Sequence, residues 1–332
     1  MTRASKIGRL NVILILVSLF LSLMLPFELF LFSYAVLGPL HYLTEINWLH
    51  QKNYFVKERR YIWILILFAI AITFLVLFKY LKLEAVFSNY LSSYFMLLFG
   101  VLLVSGLVFS IGLVLFKESK KIFLTLIFAF IFGLLFLKFF PFSFFIISIF
   151  LPTIIHVYFF TLLFMILGAL KSYSVHDVFA IIILLFIPLF ISYNPFLFVF
   201  HTSELVKDIF LETGFKNVIV SVNQILSDIS ISYFDFNSVV IIKIQTFIAF
   251  SYTYHYLNWF SKTSIIGWDR NISRPYLVFI LILWLVSVAL YVYSYKTGVI
   301  VLYFLSTLHV IVEFPLNIVS IREVFFSRNT FD

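Results

Sequence analysis

The chain has 332 residues, of which 63% are hydrophobic and 11% charged, with no cysteine and a formal net charge of +8. A soluble domain is nearer half apolar and a quarter charged, so this composition excludes that class. The lack of cysteine excludes disulfides, thiolate nucleophiles and cysteine-held metal or iron–sulfur sites.

Several apolar runs exceed 18 residues with few or no charges, the length needed to cross the hydrocarbon core of a bilayer. A membrane β-barrel would instead alternate in segments of about ten residues. The expected fold is therefore all-α, a polytopic transmembrane helical bundle of about ten spans forming a single integral membrane domain. Arg3, Lys6 and Arg9 precede the first run, but no small-residue cleavage site follows, so it reads as a span and not a signal peptide. Spans 10–25 and 27–48 are expected to be joined by a tight turn at Pro26-Phe27-Glu28, and a basic loop follows with Lys52, Lys57, Arg59 and Arg60. Further spans cover about 61–80, 86–116, 121–138, 142–170 and 178–193. The stretch 194–237 is the longest polar segment. It opens on Asn194-Pro195, and its apolar spacing from Leu205 to Leu226 suits one or two amphipathic helices at the outer interface. Spans at about 238–260, 275–295 and 298–321 close the sequence.

Loop charges orient this arrangement. With both termini cytoplasmic, sixteen of the 23 Lys and Arg residues lie on the inner side. Lys79, Lys82, Lys138, Lys207, Lys216 and Lys296 lie outside, and Lys243 falls within a span, where it is expected to snorkel outward. That asymmetry obeys the positive-inside rule, as in a bacterial inner (plasma) membrane. The positive charge is spread over short loops, so it sets topology, and no nucleic-acid partner is implied; the bilayer itself is the expected partner.

Against this apolar background, ionisable groups inside the spans stand out, because they are costly there without a partner or a task. His41, His156, His255 and His309 fall on the second, sixth, eighth and tenth spans, all running outside to inside, roughly 5 to 14 residues, or about 8 to 21 Å at the helical rise, before the cytoplasmic end. Glu45 follows His41 by four residues and Glu313 follows His309 by four, which puts each pair on one helix face. Neutral imidazole is the commonest metal ligand, and histidines with carboxylates and no thiol suit Fe(II), with Zn as the other candidate. His41, His156, His255 and His309 are the candidate metal ligands. Glu45 and Glu313 are ligands or acceptors of a histidine's second N–H. Tyr254 joins them as a candidate catalytic group. Thr44, Trp48, Asn258, Trp259 and Asn317 are candidates for supporting bonds or a substrate wall. Each histidine alone is also explained by a packing hydrogen bond to a neighbouring helix, and the aromatic patch around His255 equally suits an interfacial belt ending at Lys262. Pro152 and Pro315 free helix carbonyls near His156 and Asn317. His50, His176 and His201 fall in expected loops and read as solvated.

No phosphate loop, His-Glu-x-x-His zinc motif or nucleophile elbow occurs, and neither do the clustered histidine boxes of membrane di-iron enzymes. Gly38, His41 and Glu45, set among polytopic helices with dispersed histidines, resemble the Brp/Blh family of bacterial and archaeal membrane carotene dioxygenases. That family's first motif is a glycine, a histidine near the end of an early helix and an aspartate four residues on. Tyr42 stands where the family has a glycine after that histidine. His255 resembles a later motif of two histidines three residues apart, although Ser251 and Trp259 occupy the places a second histidine would take. The resemblance implies one iron held by histidines from several spans and an oxygenase acting on an apolar carotenoid, isoprenoid or lipid, with His309 or Glu313 replacing the missing ligand. The same His/Glu set also suits a proton- or cation-coupled transporter, and the 194–237 segment suits a non-catalytic scaffold that docks a partner.

Overall fold

In hydrocarbon, backbone amides must be satisfied within the segment, and the chain meets this with helices alone: the described residues contain no strand. The computed structural model describes residues 3–80, 89–140, 146–194, 200–227, 234–263, 267 and 272–326. Lys82, Pro195 and the start of the 142–170 span lie outside the described residues. The elements are α1 Arg3–Met24, α2 Pro26–Phe32, a π-helical turn Ser33–Leu37, α3 Gly38–Gln51, α4 Ile62–Tyr80, α5 Asn89–Leu115 and α6 Ser119–Phe139. They continue with a π-helix Ile146–Phe160, α7 Thr161–Ser172, α8 Val175–Tyr193, α9 Glu204–Thr213, α10 Lys216–Ser227, α11 Val239–Ser261, α12 Arg274–Tyr293 and α13 Tyr295–Phe326.

Among the described residues, nine helical runs are long and apolar enough to cross a membrane. Their outward faces carry side chains that water would not tolerate in such number, such as Phe123, Leu124, Phe128 and Ile131 on α6, or Val278, Phe279, Ile282 and Leu285 on α12. This is a membrane-embedded helical protein. α11 has 23 residues but is too polar to count among the nine, with Lys243, Gln245, Thr246, Thr253, His255 and Asn258. It tolerates them because fifteen of its residues are buried. The first two spans are separated differently from the expected turn. The break is at Leu25 alone (φ −135°, ψ 56°), and Pro26 already opens α2, where its missing N–H costs nothing.

The chain divides into two units. The first comprises Met1–His41 and Val157–Val299. Here α11 packs against α1, α2, the Ser33–Leu37 turn, α8 and α10. Ile15, Leu162, Met165, Leu184, Ile187, Phe250 and Tyr254 form its buried apolar cluster. The π turn is wound so that the Gly38 N–H reaches back five residues to the Ser33 carbonyl. Carbonyls around this turn receive donors from other helices: Gln245 Nε2 donates to Pro26 O at 2.9 Å, Tyr295 Oη to Leu31 O at 2.9 Å and Trp284 Nε1 to Val36 O at 2.8 Å. Lys243 donates to the Ser192 carbonyl at 2.6 Å. In the former polar segment, α9 is capped by Ser203 and ends at Gly214, whose φ of +75° favours glycine. Phe210 of α9 is fully buried, its ring 5.1 Å from Phe27 and 5.7 Å from Phe30.

The second unit comprises Tyr42–His156 and Ile300–Asp332. α5 and α6 form a close antiparallel hairpin in which small residues let the backbones approach. Ser105 Oγ donates to Ala129 O at 3.1 Å, and a Cβ on Gly133 would sit 2.9 Å from Ser105 Oγ and 3.2 Å from Val101 O. At one end of this hairpin, Lys57 Nζ donates to Leu115 O at 2.9 Å and Arg60 to Ser119 Oγ at 3.1 Å, so the 52–61 loop and the α5–α6 turn share one membrane face.

Gly133→Ala should destabilise the protein by ~1–3 kcal/mol through overpacking. Gly168→Ala, where a Cβ meets nothing within 4 Å, should not destabilise it. Thermal unfolding of the two variants in detergent checks this.

Candidate metal centre

His41 and His156 both sit where the helix is irregular. His41 follows the Ser33–Leu37 turn and Gly38-Pro39, and His156 lies inside the π-helix that contains Pro152. Proline removes an N–H and loosens the ladder, and π segments recur at functional sites for this reason. His255 and His309 lie on the regular helices α11 and α13. All four imidazoles are buried, with 1% (His41), 2% (His156), 6% (His255) and 2% (His309) of their surface exposed.

In the first unit His41 and His255 form a pair. Their Nε2 atoms are 3.1 Å apart and their rings meet edge to face at 74°. His255 Nδ1 is 2.7 Å from Thr161 Oγ1. The Thr161 hydroxyl has one proton, which it gives to the Val157 carbonyl at 2.9 Å. Its oxygen therefore accepts from Nδ1–H of His255, and this tautomer leaves a lone pair on Nε2. Tyr256 and Trp259 wall His41, with ring centroids at 5.1 and 5.5 Å. An aromatic path continues away from the pair, from Tyr256 to Tyr252 at 6.1 Å, then to Phe30 at 5.2 Å and Phe215 at 4.9 Å.

In the second unit His156 and His309 repeat the arrangement, with Nε2 atoms 3.1 Å apart and rings at 73°. His156 Nδ1 lies 3.2 Å from Glu313 Oε2, within ion-pair reach but without hydrogen-bond alignment. Tyr42 stacks on His309 with centroids 4.1 Å apart. Glu313 is fully buried and Glu45 nearly so.

These contacts fit a metal ion. Two nitrogens bound to one ion at the usual ~2.0–2.1 Å lie about 2.9–3.4 Å apart when the angle between them is right to tetrahedral. Both pairs fall within that interval, and in the first Thr161 accepts from Nδ1–H of His255, which leaves its Nε2 for coordination. His41, His156 and His309 make a buried imidazole set capable of holding a metal ion. His255 is not a member of that set and is attached through His41 alone.

The remaining candidates are distributed unevenly. Trp259 touches His41, whereas Trp48 packs on Phe55 at 5.4 Å. Thr44 is fully buried. Asn258 and Asn317 are buried, and the Asn258 Oδ1 and both Asn317 amide atoms have no hydrogen-bond partner among the described residues. Tyr254 turns away from the imidazoles: its hydroxyl is 3.1 Å from Met165 Sδ and 3.4 Å from Asn11 Oδ1, and its ring stacks on Phe250. Two residues along α11 rotate a side chain by about 200°, so Tyr256, and not Tyr254, shares the wall of His41. Sequence reasoning missed Tyr42, Thr161 and Tyr256. The signal was present in the chemistry of their neighbours, since each lies within five residues of a histidine and offers a ring or a hydroxyl. His50 is exposed beside Arg59, His176 meets Ser5 Oγ at 3.2 Å and His201 is exposed.

No protein-family model matches the chain, and no curated protein or solved structure matches it.

Tyr254→Phe should cost about 1 kcal/mol of stability through its lost hydrogen bond. It should leave metal content unchanged, as measured by unfolding and elemental analysis of one preparation.

Proposed function

We propose that the chain is a membrane-embedded, metal-dependent oxygenase whose iron is held by His41, His156 and His309, with His255 completing the set through its contact with His41. The observation that carries this reading is the pair of Nε2···Nε2 separations of 3.1 Å, one backed by the Thr161 hydroxyl on Nδ1 and the other by the Glu313 carboxylate 3.2 Å from Nδ1. Two such pairs of buried rings present their Nε2 atoms to one another at the separation that two ligands of one ion adopt. Iron(II) held by neutral imidazoles with positions left open supplies dioxygen chemistry. Zinc accepts the same donors and is the alternative ion.

The chain's own residues have distinct parts in this reading. Thr161 holds His255 in the tautomer that ligates, and Glu313 sets its carboxylate beside His156. Glu45, four residues beyond His41 on α3, is the second carboxylate and accepts a proton or an N–H beside Glu313. Tyr256, Trp259 and Tyr252 offer an aromatic wall, which suits an apolar substrate drawn from the bilayer, a lipid or an isoprenoid of the carotenoid kind. The likeness of Gly38, His41 and Glu45 to the Brp/Blh carotene dioxygenases points the same way.

Elemental analysis of the protein purified in detergent after growth with iron should find iron bound in proportion to the chain. His41→Ala, His156→Ala and His309→Ala should each abolish it. Metal-free protein, or iron retained in all three variants, would end the proposal. Thr161→Val keeps the shape but removes the acceptor of His255, so metal affinity should fall about 10- to 100-fold in competition with a chelator. Thr161→Ser should restore it.

A further inference from the structure

α13 carries a second feature that the metal site does not use. Beyond His309 and Glu313, the polar positions Asn317, Ser320 and Glu323 continue the line, with exposed Arg322 on the opposite side of the helix. At 100° per residue these five fall within a 120° sector of the helix, and from His309 to Glu323 they run about 21 Å along it. The line therefore reaches from the histidine depth to the last turn of the helix. Asn317 and Ser320 are fully buried, and the Asn317 Oδ1, Asn317 Nδ2 and Ser320 Oγ atoms have no hydrogen-bond partner among the described residues. A buried amide without a partner is costly, and Asn317 brings both donors and an acceptor. A helix built only to pack would carry apolar residues at these places, as it does at Leu316, Ile318, Val319 and Ile321. Ile318, on the far side of the same turn, is less buried than Asn317 yet apolar.

We propose that this line is a hydrated track: water satisfies Asn317 and Ser320 and connects the buried histidines with the aqueous phase at the α13 C-terminal end. Buried water with two to four polar partners is the usual solution for such groups. The track gives hydrated ions and protons a way to and from the imidazoles that does not cross lipid, while an apolar substrate arrives from the bilayer. The ligand is thus water, with a hydrated divalent cation as its occasional passenger. The inner end of the track takes its purpose from the metal reading, but its existence does not depend on bound metal.

The chain has no cysteine, so single cysteines report on this without a background. Ser320→Cys is nearly isosteric and should fold. In sealed vesicles, a charged, membrane-impermeant methanethiosulfonate should modify Ser320→Cys and Asn317→Cys from the face on which Lys57→Cys and Ser119→Cys react. Thiols need water to ionise, so Ile318→Cys at the same depth should react about tenfold more slowly or not at all. Adding Ser320→Leu to Asn317→Cys should plug the line and reduce modification of the inner cysteine to the Ile318→Cys level. Equal reaction at 317, 318 and 320 would reveal a loose helix end instead. No reaction at Ser320→Cys, or reaction only from the opposite face, would also overturn the track. Each result is read without metal, so it is separate from failure of the oxygenase proposal.

Discussion

An imidazole survives in an apolar interior only when its polar nitrogens are occupied, and this requirement organises the centre of the protein. Thr161 meets it for His255, and the Glu313 carboxylate lies 3.2 Å from His156 Nδ1. Once Nδ1 is engaged, Nε2 carries the lone pair, so the support that makes burial tolerable also makes the ring a ligand. Stability and chemistry here are the same set of contacts. Removing an acceptor would disturb both, which is why the conservative Thr to Ser exchange separates them better than truncation does.

The same constraint explains the irregular backbone. Proline and π winding at Ser33–Leu37 and Ile146–Phe160 release carbonyls in a medium that offers no water. Around the first, Gln245, Tyr295 and Trp284 supply donors from three different helices. These are long side chains on otherwise oily segments, and their polar ends are accounted for by the carbonyls they reach. The aromatic groups near His41 serve the same end: Trp259 and Tyr256 fill space against the ring, with centroids at 5.5 and 5.1 Å.

Much of the architecture was legible in the sequence because a bilayer imposes one simple rule, about 20 apolar residues per crossing. That rule located the long helices, and ionisable groups violating it located His41, Glu45, His156, His255, His309 and Glu313, all of which the structure buries. It failed where side-chain direction mattered. Tyr254 and Tyr256 are equivalent in composition, and only the rotation of α11 sends one to Asn11 and Met165 and the other to His41. Thr161 was invisible for a different reason. A hydroxyl on a helix normally returns its proton to its own backbone, as Thr161 does, and its further use as an acceptor depends on a residue 94 positions away. The division of the chain into two units was equally hidden, since each draws on segments far apart in sequence.

α11 has a consequence for how the protein is made. With a lysine, a glutamine, a histidine and an asparagine along 23 residues, it would partition poorly out of the translocon by itself, where single charged residues at mid-helix already oppose entry by about 2.5–3.5 kcal/mol. Its partners α1, α2 and α8 are all synthesised before it. The chain order thus lets the most reluctant segment emerge last among them, into a groove whose carbonyls and hydroxyls await it. A circular permutation that moved α11 to the front would keep every contact of the finished fold and still remove its means of entering the membrane.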